Sequence, residues 1–173
     1  MENQTTRQSE ADNRPLFFET SPWKLILLSI VTLGIYDVYW FYKNWKLVKE
    51  WTGSDIKPFW RAVFGFFYCH ALLSHIKECG DKAGTNPSFS PGLLSAIWII
   101  VSLLHKLPDP YWLVCYLAVF ALVPLQKEIH KLNQLSAPEY PLNNKCSAWQ
   151  IVGVVFAGLF FILVLIGTLI PDI

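Results

Sequence analysis

The chain has 173 residues, of which 53% are hydrophobic and 16% charged, and its formal net charge is +1. This composition leaves too little polar surface for an ordinary soluble domain, and the widely spaced cysteines argue against a disulfide framework. It predicts an all-α integral membrane protein. We expect residues 1–20 to form a disordered polar tail and residues 21–173 to form a single multi-helix membrane domain.

The first predicted membrane span covers about residues 23–42. Ser21 and Pro22 precede it, and they supply a capping oxygen and a residue suited to the first helical position. The span ends in a cluster of tyrosine, tryptophan and phenylalanine side chains, which is typical of the level of the lipid headgroups.

The residues directly after this span have the pattern of an amphipathic helix. Tryptophans fall on one side of the helical wheel and lysines fall on the other, so we expect the helix to lie on the membrane surface and to attract anionic headgroups. The predicted anchors of this surface helix are Lys43, Trp45, Lys46, Lys49 and Trp51.

The second apolar run, residues 58–76, is interrupted by polar side chains and is short for a membrane span. We expect it to form one partly inserted helix that does not cross. Residues 93–104 and 111–125 then predict a helical hairpin, which is either two thin spans or one re-entrant pair. A second amphipathic surface helix follows it.

The last predicted span begins near residue 147 and ends at Pro171, which brings the bundle to about four spans. Gly153 and Ala157 are four residues apart on it, and small residues at this spacing allow close packing of helices.

The positions of the lysines and arginines favour one topology. If residues 58–76 do not cross, most basic residues share one side of the membrane, which the positive-inside tendency places in the cytoplasm. The surface helices are then cytoplasmic, and both termini are predicted to lie outside.

Asp37 is the most unusual residue, because a carboxylate inside a span must pair, become protonated or face water. Arg61 is the nearest candidate partner in the sequence, so we predict an intramembrane polar pair of Asp37 and Arg61. His75 and Cys79 are the weak candidates for a metal site: they share a helical face, but two ligands do not complete a tetrahedral set. We therefore expect no metal and no other cofactor.

Four motifs resemble a family of small multi-helix bacterial membrane proteins that is known only as a domain of unknown function. They are the Ser-Pro at 21–22, Gly-Ile-Tyr at 34–36, Tyr-Trp-Phe-Tyr-Lys-Asn-Trp-Lys at 39–46 and Pro-Phe-Trp-Arg at 58–61. The resemblance implies a multi-pass protein of the bacterial inner (plasma) membrane, and it implies no activity.

These observations favour a small membrane scaffold, accessory or interaction protein without chemistry of its own, and we expect no enzyme. The expected partners are the bilayer, anionic headgroups, and further copies or other membrane proteins, with no nucleic acid. The alternative is a small-solute transporter or channel with a polar site near Asp37. A lipid-modifying enzyme would need a clustered site, to which only His75 and Glu78 come close.

Overall fold

The computed structural model describes residues 14–138 and 148–169. All regular structure in these residues is helical, which confirms the predicted all-α fold for this part of the chain. The α-helices are α1 (Pro22–Val31), α2 (Ile35–Thr52), α3 (Pro58–Val63), α4 (Gly65–Ala83), α5 (Pro91–Leu103), α6 (Val123–Ser136) and α7 (Ala148–Leu169), and 3₁₀ helices cover Leu104–Lys106 and Tyr111–Ala121.

The first apolar run folds back on itself between α1 and α2. The Ser29 hydroxyl donates a hydrogen bond to the Asp37 carboxylate, and the Phe18 N–H donates to Asn44 Oδ1 at 3.0 Å. In one straight helix Ser29 and Asp37 would lie about 12 Å apart. The prediction of a single span over residues 23–42 is therefore wrong, because these residues form a helical hairpin with both ends on one side.

The chain reversal depends on two residues with left-handed backbone angles, Leu33 (φ 55°) and Gly34 (φ 84°). The Gly34 N–H donates to the Ser29 carbonyl at 2.8 Å, and the Leu33 N–H donates to the Ile30 carbonyl at 3.1 Å. This pair of hydrogen bonds is the Schellman pattern that closes a helix C-terminus. It ends α1 after about 15 Å, half the hydrocarbon thickness of a bilayer.

A second hairpin, α3 and α4, lies against α2. Pro58 lies near Glu50, whereas Gly65 at the turn lies near Phe41, where an added Cβ would approach the ring to 3.8 Å. The chain then returns, so that the ring of His75 lies 6.4 Å from that of Trp51. Residues 58–76 thus enter and leave at the same end of α2.

The third hairpin pairs α5 with the 3₁₀ helix Tyr111–Ala121, which continues into α6. The loop before α5 is fixed near the end of α4, where an added Cβ on Gly80 would lie 2.3 Å from Pro87 Cγ. Its Thr85 hydroxyl also donates a hydrogen bond to the Glu128 carboxylate on α6. The three hairpins therefore have the same orientation.

This shared orientation gives the bundle two different ends. The polar end consists of residues 17–20 and the C-terminal halves of α2, α4 and α6. The tip end consists of the hairpin turns at residues 32–34, 63–65 and 105–110. Because residues 17–20 lie in the polar end, with Phe17 and Thr20 fully buried, the ordered domain begins before Phe17 and not at residue 21.

Both amphipathic stretches bury their apolar faces inside the protein. Trp45 and Val48 on α2, like Ile129 and Leu132 on α6, have at most 1% of their surface exposed. The predicted surface helices are therefore walls of the core and not helices lying on lipid. An amphipathic pattern shows that one face leaves water, but it does not distinguish lipid from protein.

The last helix, α7, packs beside the first hairpin. An added Cβ on Gly158 would approach Val31 to 3.7 Å, and the rings of Phe161 and Tyr116 lie 6.0 Å apart. Among the described residues, one continuous helical stretch, Tyr111–Ser136, is long and apolar enough to cross a membrane by length and composition. The apolar helices Pro22–Val31, Pro91–Lys106 and Val152–Thr168 are shorter.

Candidate functional site

Asp37 is a buried carboxylate near the tip end, with 9% of its surface exposed. It lies in the first turn of α2, where the backbone N–H groups favour a negative charge. Ser29 on α1 donates a hydrogen bond to it, so the two arms of the first hairpin are joined through this side chain. The indole N–H of Trp98 lies close to the same carboxylate without reaching normal hydrogen-bond geometry.

A cavity of about 380 Å³ lies beside Asp37, between the tips of the three hairpins. Ser29, Ser102, His105 and the hydroxyl-bearing Tyr116 also line it. The His105 Nδ1 is paired with the Ser102 carbonyl oxygen at 2.9 Å. The aromatic residues that line it are Phe41, Phe66, Trp98, Trp112 and Tyr116.

The structure does not bring Asp37 and Arg61 together, so the predicted ion pair is wrong. The Arg61 guanidinium lies over the ring of Trp45, 4.5 Å from its centroid, and 5.1 Å from that of Tyr68. A cation over aromatic rings is stabilised by the ring quadrupole without a carboxylate. Each charge therefore has its own local partner.

Comparison with known proteins shows the family of this chain. Residues 20–134 match a protein family described as a domain of unknown function (DUF4234). The chain belongs to this family. This confirms the resemblance to an uncharacterised family that the sequence motifs indicated. No curated protein and no solved structure matches the chain.

The part that matches DUF4234 contains all three hairpins and ends within α6, so the cavity beside Asp37 is built from family residues. The helix α7 lies outside the match. The hairpin turns, the cavity and most of the polar end consequently lie within the residues that match the family.

The predicted lipid anchors of this DUF4234 chain have protein partners. Trp45 is fully buried, and Trp51 contacts Phe17 edge to face with 6.2 Å between ring centroids. Lys43 lies 5.7 Å from the ring centroid of Phe18. Lys46 pairs with Glu50 at 3.9 Å, and Lys49 pairs with Asp55 at 3.8 Å, on the exposed side of α2. Trp51 and the lysines keep a partly exposed position, whereas Trp45 does not.

The two weak metal candidates do not form a site. The ring of His75 is packed edge to face against Trp45 and Trp51. Burial raises the pKa of the Cys79 thiol, which therefore stays protonated and is a poor metal ligand near pH 7. No group of three His, Cys, Asp or Glu side chains suited to a metal occurs in the described part of the chain.

The predicted packing residues of α7 lie beside the first hairpin but do not make its closest contact. Gly153 and Ala157 line a wide apolar groove with residues of α1 and α2, and an added Cβ on Gly153 would meet no atom within 4 Å. The closer approach is at Gly158, next to Val31.

Sequence reasoning missed the buried amides of the polar end. Asn133 accepts a hydrogen bond from the Phe17 N–H at 3.2 Å and donates to the Phe17 carbonyl at 2.9 Å. Gln126 accepts from the Thr20 N–H at 3.2 Å. These contacts hold residues 17–20, which lie more than one hundred residues before Gln126 and Asn133 in the sequence. The sequence indicated them only through the polar residues on the apolar side of α6.

Proposed function

We propose that the protein is a membrane scaffold or accessory protein whose hairpins enter the bilayer from one side. The observation that supports it is the exposed apolar surface of the tip end. Ile35 is 71% exposed and Phe67 is 80% exposed, and they belong to a larger group of exposed apolar side chains. A water-soluble monomer rarely exposes so much contiguous apolar surface, whereas lipid would cover it.

The lengths of the hairpins favour two modes of insertion. The first two have turns without charged residues, and α1, an arm of the first, is only about 15 Å long, so we assign both as re-entrant. The turn of the third carries Lys106 and Asp109, which favours a thin pair of spans that reaches the opposite surface. We assign a further crossing to α7, whose 22 residues extend over about 33 Å and include the shorter apolar stretch Val152–Thr168.

The charges favour a cytoplasmic polar end in a plasma membrane. Lys46, Lys49 and Lys131 are exposed there, while Lys106 is the lysine at the tip end. The positive-inside tendency then orients the bundle, and the exposed lysines would attract anionic headgroups. In this topology the N-terminal segment is cytoplasmic, in contrast to the expectation that both termini lie outside.

Site-specific labelling tests this topology. Single cysteines replace Arg14, Ile35, Lys46 and Lys106 in a variant without native cysteines, and an impermeant maleimide is added to either side of oriented vesicles. We expect positions 14 and 46 to react from the cytoplasmic side, position 106 from the other side, and position 35 from neither. Labelling of 14 and 46 from opposite sides would show that the first hairpin is a span after all.

The cavity beside Asp37 favours a second candidate function, the passage of a small solute. Flux measurements on reconstituted vesicles separate the two candidates. A scaffold leaves the permeability of the vesicles unchanged in both the wild type and Asp37→Asn, whereas a transporter raises it only in the wild type.

A further inference from the structure

The cavity beside Asp37 combines one acidic group with a largely apolar wall that includes five aromatic side chains. Its volume of about 380 Å³ falls in the range of small-molecule sites in proteins. Asp37 is more than nine-tenths buried, and its hydrogen bond from Ser29 fixes the carboxylate against the cavity wall. The site thus offers a fixed negative group in a space that holds more than a single water molecule.

The wall chemistry indicates which ligands would be stabilised there. A carboxylate in a poorly hydrated space attracts a cation more strongly than it would in water, and it repels an anion. Trp98, Trp112 and Tyr116 line the cavity, and aromatic side chains attract cations through the ring quadrupole and also accept apolar groups. We propose that this cavity binds a small organic cation, an amine or quaternary ammonium group carried on an apolar body.

A bare metal ion fits the cavity less well than an organic cation. The described residues contain no cluster of three acidic, histidine or cysteine side chains, and Asp37 is the carboxylate on the cavity wall. A divalent ion would therefore lack most of the oxygen ligands that it requires. An organic cation needs one counter-charge and aromatic contact, both of which are present.

The position of the cavity agrees with a ligand that partitions into lipid. Its rim includes Ile35, Val38 and Val63, which are exposed at the tip end. A ligand with an apolar body would reach the site through the bilayer that we propose around these residues. This inference goes beyond the scaffold function, because a scaffold requires no ligand.

The test compares two probes of the same shape that differ in charge. Benzyltrimethylammonium and its uncharged isostere neopentylbenzene are titrated calorimetrically into the full chain in detergent, with protein-free micelles as the blank. We expect the cation to bind and the isostere to bind about tenfold more weakly or not at all. Equal binding of both, or binding of neither, would overturn the proposal.

Variants then locate the binding. Asp37→Asn removes the counter-charge and should weaken binding of the cation about tenfold or more. Glu128→Gln changes an equally buried acid at the polar end, outside the cavity, and should leave the affinity unchanged. Unchanged affinity in Asp37→Asn would overturn the assignment of the site.

A third variant covers the case in which Asp37→Asn does not fold. Trp112→Leu keeps an apolar wall but removes one aromatic ring. It should weaken binding of the cation about threefold without affecting binding of the isostere. An equal loss for both probes would indicate that Trp112 shapes an apolar cavity, and the cation would not be its ligand.

Discussion

At the polar end, buried amide side chains hold the backbone of residues 17–20 between α2 and α6, and hydrogen bonds fix each segment in place. At the tip end, large apolar side chains such as Ile35 and Phe67 are exposed, and Asp37 with Ser29 forms the main polar contact. The structure of the polar end therefore depends on specific side-chain hydrogen bonds, whereas that of the tip end depends on backbone turns. Substitutions should consequently cost far more at the polar end.

The largest expected effect is that of Asn133→Ala. It removes the hydrogen bonds to both backbone groups of Phe17 and one to Glu19, and it leaves buried polar groups without partners. We expect the free energy of unfolding in detergent to fall by about 3 kcal/mol. Gln134→Ala, at the exposed next position, is the control and should change it by less than about 0.5 kcal/mol. A similar loss in both variants would contradict the role of the buried amide.

Gly80→Ala should have the next largest effect. The added Cβ would lie 2.3 Å from Pro87 Cγ, so the loop before α5 must shift away from α4. We expect a loss of about 2 kcal/mol from overpacking, measured by thermal unfolding in detergent. Gly92→Ala, where an added Cβ meets no atom within 4 Å, is the matched control. Equal stability of the two variants would show that the loop does not pack closely on α4.

At the tip end, Gly34→Ala tests the turn of the first hairpin. No atom lies within 4 Å of the added Cβ, so the cost arises only from the left-handed backbone angle of 84°. We expect a loss of about 1 kcal/mol. The control is Gly153→Ala, which adds a Cβ in equally open space on α7 and should not destabilise the protein. A destabilised control together with an unaffected Gly34→Ala would refute the turn.

The smallest effect on folding is expected for Phe67→Ser at the tip end. Because this side chain is 80% exposed, the free energy of unfolding in detergent should change by less than about 0.5 kcal/mol. Its apolar surface should matter only when a bilayer is present. In a bilayer, we therefore expect bromine-labelled lipid chains to quench a fluorescent probe at this tip less strongly in Phe67→Ser than in the wild type. The control Lys82→Ser, at the polar end, should leave that quenching unchanged.

The sequence identified Asp37 as the polar residue that most needs an explanation, but it did not reveal Ser29 as its partner. The two residues are eight positions apart, and this separation forbids contact in a straight helix. The missing information was the reversal at Leu33 and Gly34. A single glycine inside a long apolar run is ambiguous, because it is compatible with a continuous span as well as with a turn.

Periodicity correctly indicated which faces of α2 and α6 are apolar, and Trp45 and Leu132 are indeed fully buried. What periodicity did not reveal is the medium that covers them. Hydrophobic burial is non-directional and similar in lipid and in a protein core, so the pattern alone favours neither. The buried amides of Gln126 and Asn133 indicate that protein covers this face of α6, because a helix face in contact with lipid would not carry them.

For the membrane topology that we propose, the reversal at Leu33 and Gly34 also has a consequence for biosynthesis. A first span would require the N-terminal tail, with Glu2, Arg7, Glu10, Asp12 and Arg14, to be carried across the membrane. A hairpin that inserts as a loop, as we propose, would leave both of its ends behind, so the charges of the tail would not have to cross the hydrocarbon. In the topology that we propose, the first two hairpins would therefore insert as loops from one side, and no segment before α1 would have to be translocated.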